Sequence, residues 1–130
     1  MISPRVLIVD DDTDILDVLD MLFTDDGFST ICCGTSEAAR AALAVNQIQL
    51  FITDLRLVGS TGLDLVAQVR TLHGTGPGVI VLTAVQPAHA ASELAQITQL
   101  GAHVITKPFD IDDLLNTARR LTGWPGRPLS

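Results

Sequence analysis

The sequence predicts an α/β fold, a doubly wound parallel sheet of five strands, from three observations. Short β-branched apolar runs alternate five times with stretches of helical periodicity along 130 residues. The apolar runs are nearly continuous, the pattern of strands covered on both faces. Strands that alternate with helices imply parallel pairing, with helices packed on either side.

Each element has its own signal. "RVLIV" (5–9) is a β-branched run and the first strand. "TDILDVLDMLFTDD" (13–26) carries apolar residues at Ile15, Leu16, Leu19, Leu22 and Phe23, which is helical spacing. "GFSTICC" (27–33) follows a glycine and reads as a strand. "TSEAARAALAVNQ" (35–47) is alanine-rich and opens on a cap, Thr35 or Ser36. "IQLFIT" (48–53) is the third strand, and the Gly and Ser of "LVGSTG" (57–62) mark a loop. "LDLVAQVRTLH" (63–73) is an amphipathic helix. "GTGPG" (74–78) breaks the chain before "VIVLT" (79–83), the plainest strand. A helix over roughly 88–100 ends at Gly101, "HVIT" (103–106) is the last strand, and "IDDLLNTARRLTG" (111–123) is the last helix. Residues 48–52 and 79–82 are the most apolar strands and are placed at the centre of the sheet. The first 122 residues form one domain. The Pro- and Gly-rich "GWPGRPLS" (123–130) reads as a linker start or a loose end.

Composition narrows the function. Eight Lys and Arg against 15 Asp and Glu give a net charge of −7, which argues against direct binding of nucleic acid. No apolar run reaches the length of a membrane span, and "MISPRV" lacks a secretion signal, so a cytoplasmic location is expected. Cys32 and Cys33 are adjacent, a poor spacing for a disulfide, and two are too few for a zinc site; they read as two buried thiols.

The polar residues fall where a parallel sheet places its ligands, at the carboxyl ends of the strands. The first strand ends in Asp10, Asp11 and Asp12, the third in Thr53 and Asp54, the fourth in Thr83 and Ala84, and the fifth in Thr106 and Lys107. In a parallel sheet these converge on one edge. Two carboxylates about 5 Å apart repel by roughly 3 kcal/mol at an effective dielectric near 20, so the cluster needs a cation. A few hard oxygen donors suit Mg²⁺ or Mn²⁺. A lysine and a threonine hydroxyl facing such an ion are the parts that hold a phosphoryl group, and the chemistry suggested is phosphoryl transfer onto a carboxylate.

Four pieces, "LIVDDD" (7–12), "FITDLRL" (51–57) with Gly62 eight residues after Asp54, "VIVLTA" (79–84) and "GAHVITKPF" (101–109), occur in this order at the predicted strand ends. With them the chain resembles the receiver domain of bacterial two-component response regulators over about residues 5–122. The resemblance implies a flavodoxin-like fold of strand order 2-1-3-4-5. It implies a regulatory phosphoacceptor rather than an enzyme, with slow self-dephosphorylation at most. It makes Asp54 the acceptor of phosphate from a sensor histidine kinase or phosphotransfer protein. Asp11 binds Mg²⁺ directly, Asp10 mainly through water, and Arg56 lends its backbone carbonyl. Thr83 is the switch hydroxyl, the N–H of Ala84 meets the phosphate, Lys107 pairs with the phosphoryl charge, and Lys107–Pro108 is cis. The readout is the face of the fourth helix, fifth strand and fifth helix, acting on a downstream protein or effector domain. Asp12, just before the first helix, is an N-cap.

Four departures stand out. Val104 occupies the place of the family's usual aromatic, with His103 adjacent. Gly101 to Lys107 is one residue shorter than the common pattern, and Thr83 to Gly101 about three longer, across "VQPAHAASELAQITQL" (85–100), whose one charged residue is Glu93. Val58 replaces the common proline of the loop after Asp54, with little chemical consequence expected. Two other readings fit parts of the pattern. One is a receiver-like module that binds partners without phosphorylation. The other is a haloacid-dehalogenase-type phosphatase with Asp10 as nucleophile and Asp12 as acid/base, against which Asp14 stands where a Thr or Val is wanted.

Overall fold

The computed structural model describes residues 2–84 and 90–127. Its main sheet uses β1 (Arg5–Val9), β2 (Ser29–Cys33), β3 (Leu50–Asp54), β6 (Gly78–Thr83) and β7 (His103–Thr106), all parallel, in the order β2-β1-β3-β6-β7. Counting these strands alone, the order is 2-1-3-4-5, as expected, with β3 central and β6 beside it. Two further strands among the described residues, β4 (Arg56–Leu57) and β5 (Ser60–Thr61), form a small antiparallel hairpin that overlaps the segment 57–62 read as a loop. Two-residue strands have no periodicity for a sequence to show.

The period of two along each strand sorts side chains to opposite faces. Val6, Ile8, Leu50, Ile52, Ile80 and Leu82 pack under α1 (Thr13–Asp25) and α5 (Ile111–Thr122), against Leu16, Leu19, Phe23, Leu114 and Ala118. Leu7, Val9, Phe51, Val79 and Val81 pack under α2 (Ser36–Val45), α3 (Gly62–His73) and α4 (Ala91–Gln99). Leu16, Leu19 and Phe23 sit at helical spacing on one side of α1, which is why that helix docks by one stripe. Truncating the fully buried Phe23 to alanine removes a large share of that stripe, about 3–5 kcal/mol.

Helix starts follow the polar residues before them. Asp12 accepts N–H bonds from Asp14 (3.0 Å) and Ile15 (3.4 Å), the N-cap role expected of it. Thr35, not Ser36, caps α2 through the Ala38 N–H, Thr61 caps α3 and Asp110 caps α5. The helix expected over roughly 88–100 begins at Ala91 in the described residues, and positions 88 and 89 lie outside them. Ala90 precedes it and gives no side-chain cap.

Two expectations change. Cys33 is buried but Cys32 is exposed, because neighbours on a strand face opposite ways. Partial burial of its sulfur and the nearby Asp20 carboxylate push the Cys32 thiol up to about 12, so it is a poor nucleophile at neutral pH. The segment after α5 does not begin loose. Trp124 is buried, donates its indole N–H to the Asp26 carbonyl at 2.8 Å, and meets Phe28 edge-on with ring centroids 6.4 Å apart. Arg119 pairs with the buried Asp26 carboxylate beside it, with Nε 3.1 Å from Oδ2 and Nη2 on Oδ1.

Candidate functional site

The carboxyl edge of the sheet gathers the predicted groups. Asp10 follows β1 and is 1% exposed; its Oδ1 accepts the Asp12 N–H at 2.9 Å. Asp11, next in the chain, is exposed at the rim. Asp54 ends β3 and is half-buried. One carboxylate oxygen from each of Asp10, Asp11 and Asp54 lies within 4.8 Å of the others. Lys107, after β7, reaches in so that its Nζ lies 3.3 Å from Oδ2 of Asp10 and 3.3 Å from Oδ2 of Asp54. Thr83 ends β6, is buried, and accepts the Lys107 N–H on its carbonyl at 2.7 Å. Four strands therefore deliver five of the predicted residues to one place.

Among the described residues, three carboxylates face one ammonium, which leaves the cluster short of positive charge. Burial pushes the Asp54 carboxyl up from its ordinary value. The Lys107 ammonium pulls it down, the Asp10 charge adds to the rise, and the Arg56 N–H bond lowers it again. Hard oxygen donors at this separation, with a charge deficit, fit a divalent cation of the Mg²⁺ class. Arg56 stands at the start of β4, two residues past Asp54, and its side chain turns outward. Its Nη1 lies 3.1 Å from Oε1 of Glu93 and 3.5 Å from Oε2, an ion pair to the first turn of α4.

Gly62 is fixed by close packing. A Cβ there would lie 2.7 Å from the Asp54 carbonyl oxygen and 3.1 Å from the Leu55 Cα, so only glycine lets α3 start directly against the end of β3. Two partners escaped the sequence. The Glu93 carboxylate joins Arg56 across 37 positions, and the Val58 N–H bonds to Oδ2 of Asp11 at 3.1 Å. That Glu93 is the one charge on its helix was the available signal for the first. A backbone N–H carries no signal for the second.

Comparison with known proteins decides the family. The model of the response regulator receiver domain matches residues 6–119. The chain belongs to this receiver family. It is 32% identical over 126 residues to the transcriptional regulatory protein AruR of Pseudomonas aeruginosa, covering 91% of this chain and 49% of that protein. It is 34% identical over 125 residues to the response regulator protein PilR of the same species, covering 93% of this chain and 27% of that one. The receiver thus spans about half, or about a quarter, of the length of these curated relatives. A receiver protein structure from Pseudomonas putida superposes with a TM-score of 0.80 at 28% identity, covering 91% and 97% of the two chains. A CheY-like receiver domain from Methanospirillum hungatei gives 0.86 at 24% identity, over 93% and 94%, a likeness of fold.

Receivers are regulatory phosphoacceptor modules of two-component signalling. They generally bind Mg²⁺ through acidic residues and interact with histidine kinases or phosphotransfer proteins, and the acid cluster here is of that kind. No helix of the described residues is long and apolar enough to cross a membrane. The departure at the aromatic position also has a place. Val104 pairs in register with Val81 and packs with the α2–α3–α4 face, the face Thr83 shares by the period of two. His103 is exposed and stands off that face.

Proposed function

We propose that this receiver accepts a phosphoryl group on Asp54 from a phosphohistidine and returns the signal through its α4–β7–α5 face. The observation that carries the reading is Lys107 Nζ at 3.3 Å from both Asp10 and Asp54, with Asp11 in the same oxygen cluster. Asp10, Asp11, Asp54 and the Arg56 carbonyl would hold Mg²⁺, or Mn²⁺ in its place. When bound, the ion supplies charge neutralisation for the transferring phosphoryl oxygens.

The chain's own groups do the rest. An Asp54 oxygen attacks phosphorus in line; the new P–O bond forms as the P–N bond of the phosphohistidine breaks, and the imidazole leaves with that electron pair. Lys107, already within 3.3 Å of Asp54, offsets the charge gathered on the product. Asp10 holds Lys107 from the other side. The Thr83 hydroxyl and the Ala84 N–H meet the phosphoryl oxygens. Phosphorylation biases a two-state equilibrium in which Thr83 and the start of α4 move. The start of α4 suits that part, since it lacks a side-chain cap worth about 1 kcal/mol and is tied to the site by the Arg56–Glu93 pair.

Residues 1–122 are the receiver unit and 123–130 its tail or the start of a linker. The partners are a sensor histidine kinase or phosphotransfer protein and a downstream protein or effector domain. The location is cytoplasmic. The receiver is no enzyme beyond slow self-dephosphorylation. Its test is reaction with a small phosphodonor and Mg²⁺, followed by intact mass and site mapping. One phosphoryl group on Asp54, absent from Asp54→Asn, is the expected result. A label on Asp10 would instead favour the phosphatase reading, against which Asp12 already stands with its carboxylate engaged as the α1 cap.

A further inference from the structure

We infer that the backbone N–H of Val58 is a positioning group for the metal ligand Asp11, and that the β4–β5 hairpin exists in this chain to aim it. The inference rests on the receiver reading of the acid cluster and adds to it a residue outside the usual set. Asp11 is the exposed member of the three acids, so water competes for its carboxylate and its side chain has the most freedom to lose. The contact that fixes it is the Val58 N–H, donating to Oδ2 at 3.1 Å from 47 positions away. One of its two oxygens is thereby engaged before any ion arrives.

The hairpin is built to present this donor. Arg56 pairs with Thr61 and Leu57 with Ser60, so Val58 and Gly59 are the two turn residues. Gly59 has φ +75°, a left-handed conformation that glycine adopts without strain. Leu57 is buried and the Gly62 N–H bonds the Leu55 carbonyl at 2.8 Å, which anchors the base of the hairpin to the end of β3. The first central residue of the turn has no hairpin partner for its N–H, and that is the group turned on Asp11. The Val58 side chain takes no part, being 81% exposed. What position 58 contributes is an amide hydrogen, which every residue except proline supplies. Hydrogen bonds to a ligating carboxylate orient it, and their loss costs about 10–100-fold in metal affinity; at this exposed site the lower figure applies.

The test is a Mg²⁺ titration of the full chain by ¹⁵N–¹H NMR on wild type, Val58→Ala and Val58→Pro. Val58→Ala keeps the amide and should bind Mg²⁺ within about two-fold of wild type, while Val58→Pro should bind about ten-fold more weakly. Equal affinities in the proline and alanine variants, with wild type binding normally, overturn the role of Val58 and leave the receiver reading intact. A wild type that binds no Mg²⁺ overturns the metal reading itself. If the proline variant does not fold, amide exchange decides: Asp11→Ala should speed exchange at Val58 several-fold without affecting β3, and unchanged Val58 exchange refutes the bond.

Discussion

The two ends of the sheet treat buried acid in opposite ways. At the amino end, Asp26 sits in a closed account: Arg119 pairs with its carboxylate, the Trp124 indole satisfies its carbonyl, and Phe28 and Phe23 seal the corner. At the carboxyl end, Asp10 and Asp54 share Lys107, with Asp11 in the same cluster of carboxylates. The first arrangement neutralises its charge within the protein. The second leaves a deficit that an outside cation and a phosphoryl group can change. A site meant to respond must hold its groups in place without satisfying them, and here strand ends, a hairpin turn and Gly62 supply the holding.

Perturbations at the two ends should therefore separate. The largest effect belongs to the closed end: Trp124→Ala should lose about 3–5 kcal/mol in urea unfolding, with Mg²⁺ affinity unchanged. A Trp124→Ala protein as stable as wild type would show that the segment after α5 is not docked. Next, Asp11→Ala should weaken Mg²⁺ binding about a hundred-fold by calorimetric titration, at least the loss expected for a group that merely orients a ligand. Its stability without metal should stay within about 0.5 kcal/mol of wild type, as for an exposed residue. Smaller again, Asp12→Ala should cost about 1 kcal/mol of stability through loss of the α1 cap, and leave Mg²⁺ affinity alone.

The last prediction is one of sign. Burial raises the Asp54 carboxyl above its ordinary 3.8, so the folded state resists the charged form. The folded protein then binds the proton more readily than the unfolded chain, and stability falls as pH rises from 3.8 through the raised value. Asp54→Asn should accordingly melt higher than wild type at neutral pH without Mg²⁺, with the advantage shrinking as pH falls through that window. A variant that melts lower at neutral pH would mean the Lys107 pairing outweighs the burial.

Much of this was legible in the sequence because it is local. Apolar runs of four to six residues end on polar groups, and parallel pairing brings those ends together, so the gathering of Asp10, Asp11, Asp54, Thr83 and Lys107 at one edge is readable from the sequence. What escaped depends on long-range or backbone contacts. The Pro and Gly of "GWPG" hid the fact that Trp124 finds its acceptor 98 positions back. The same holds for the ion pair of Arg56 with Glu93 and for Val58, whose side chain is idle while its N–H is used. Cys32 reads as buried from the cysteine count and spacing alone, whereas β2 is an edge strand and Cys32 is exposed.

On the proposed function, the unsatisfied edge is a phosphoacceptor site with Asp54 as its nucleophile. Exposure of wild type and Asp54→Asn to a small phosphodonor, with and without Mg²⁺, tests it most directly by intact mass and site mapping. A single phosphoryl group on Asp54 of wild type, dependent on Mg²⁺ and lost in the variant, is the expected result. Full modification of Asp54→Asn, or a phosphoryl group mapped to another residue, would contradict it.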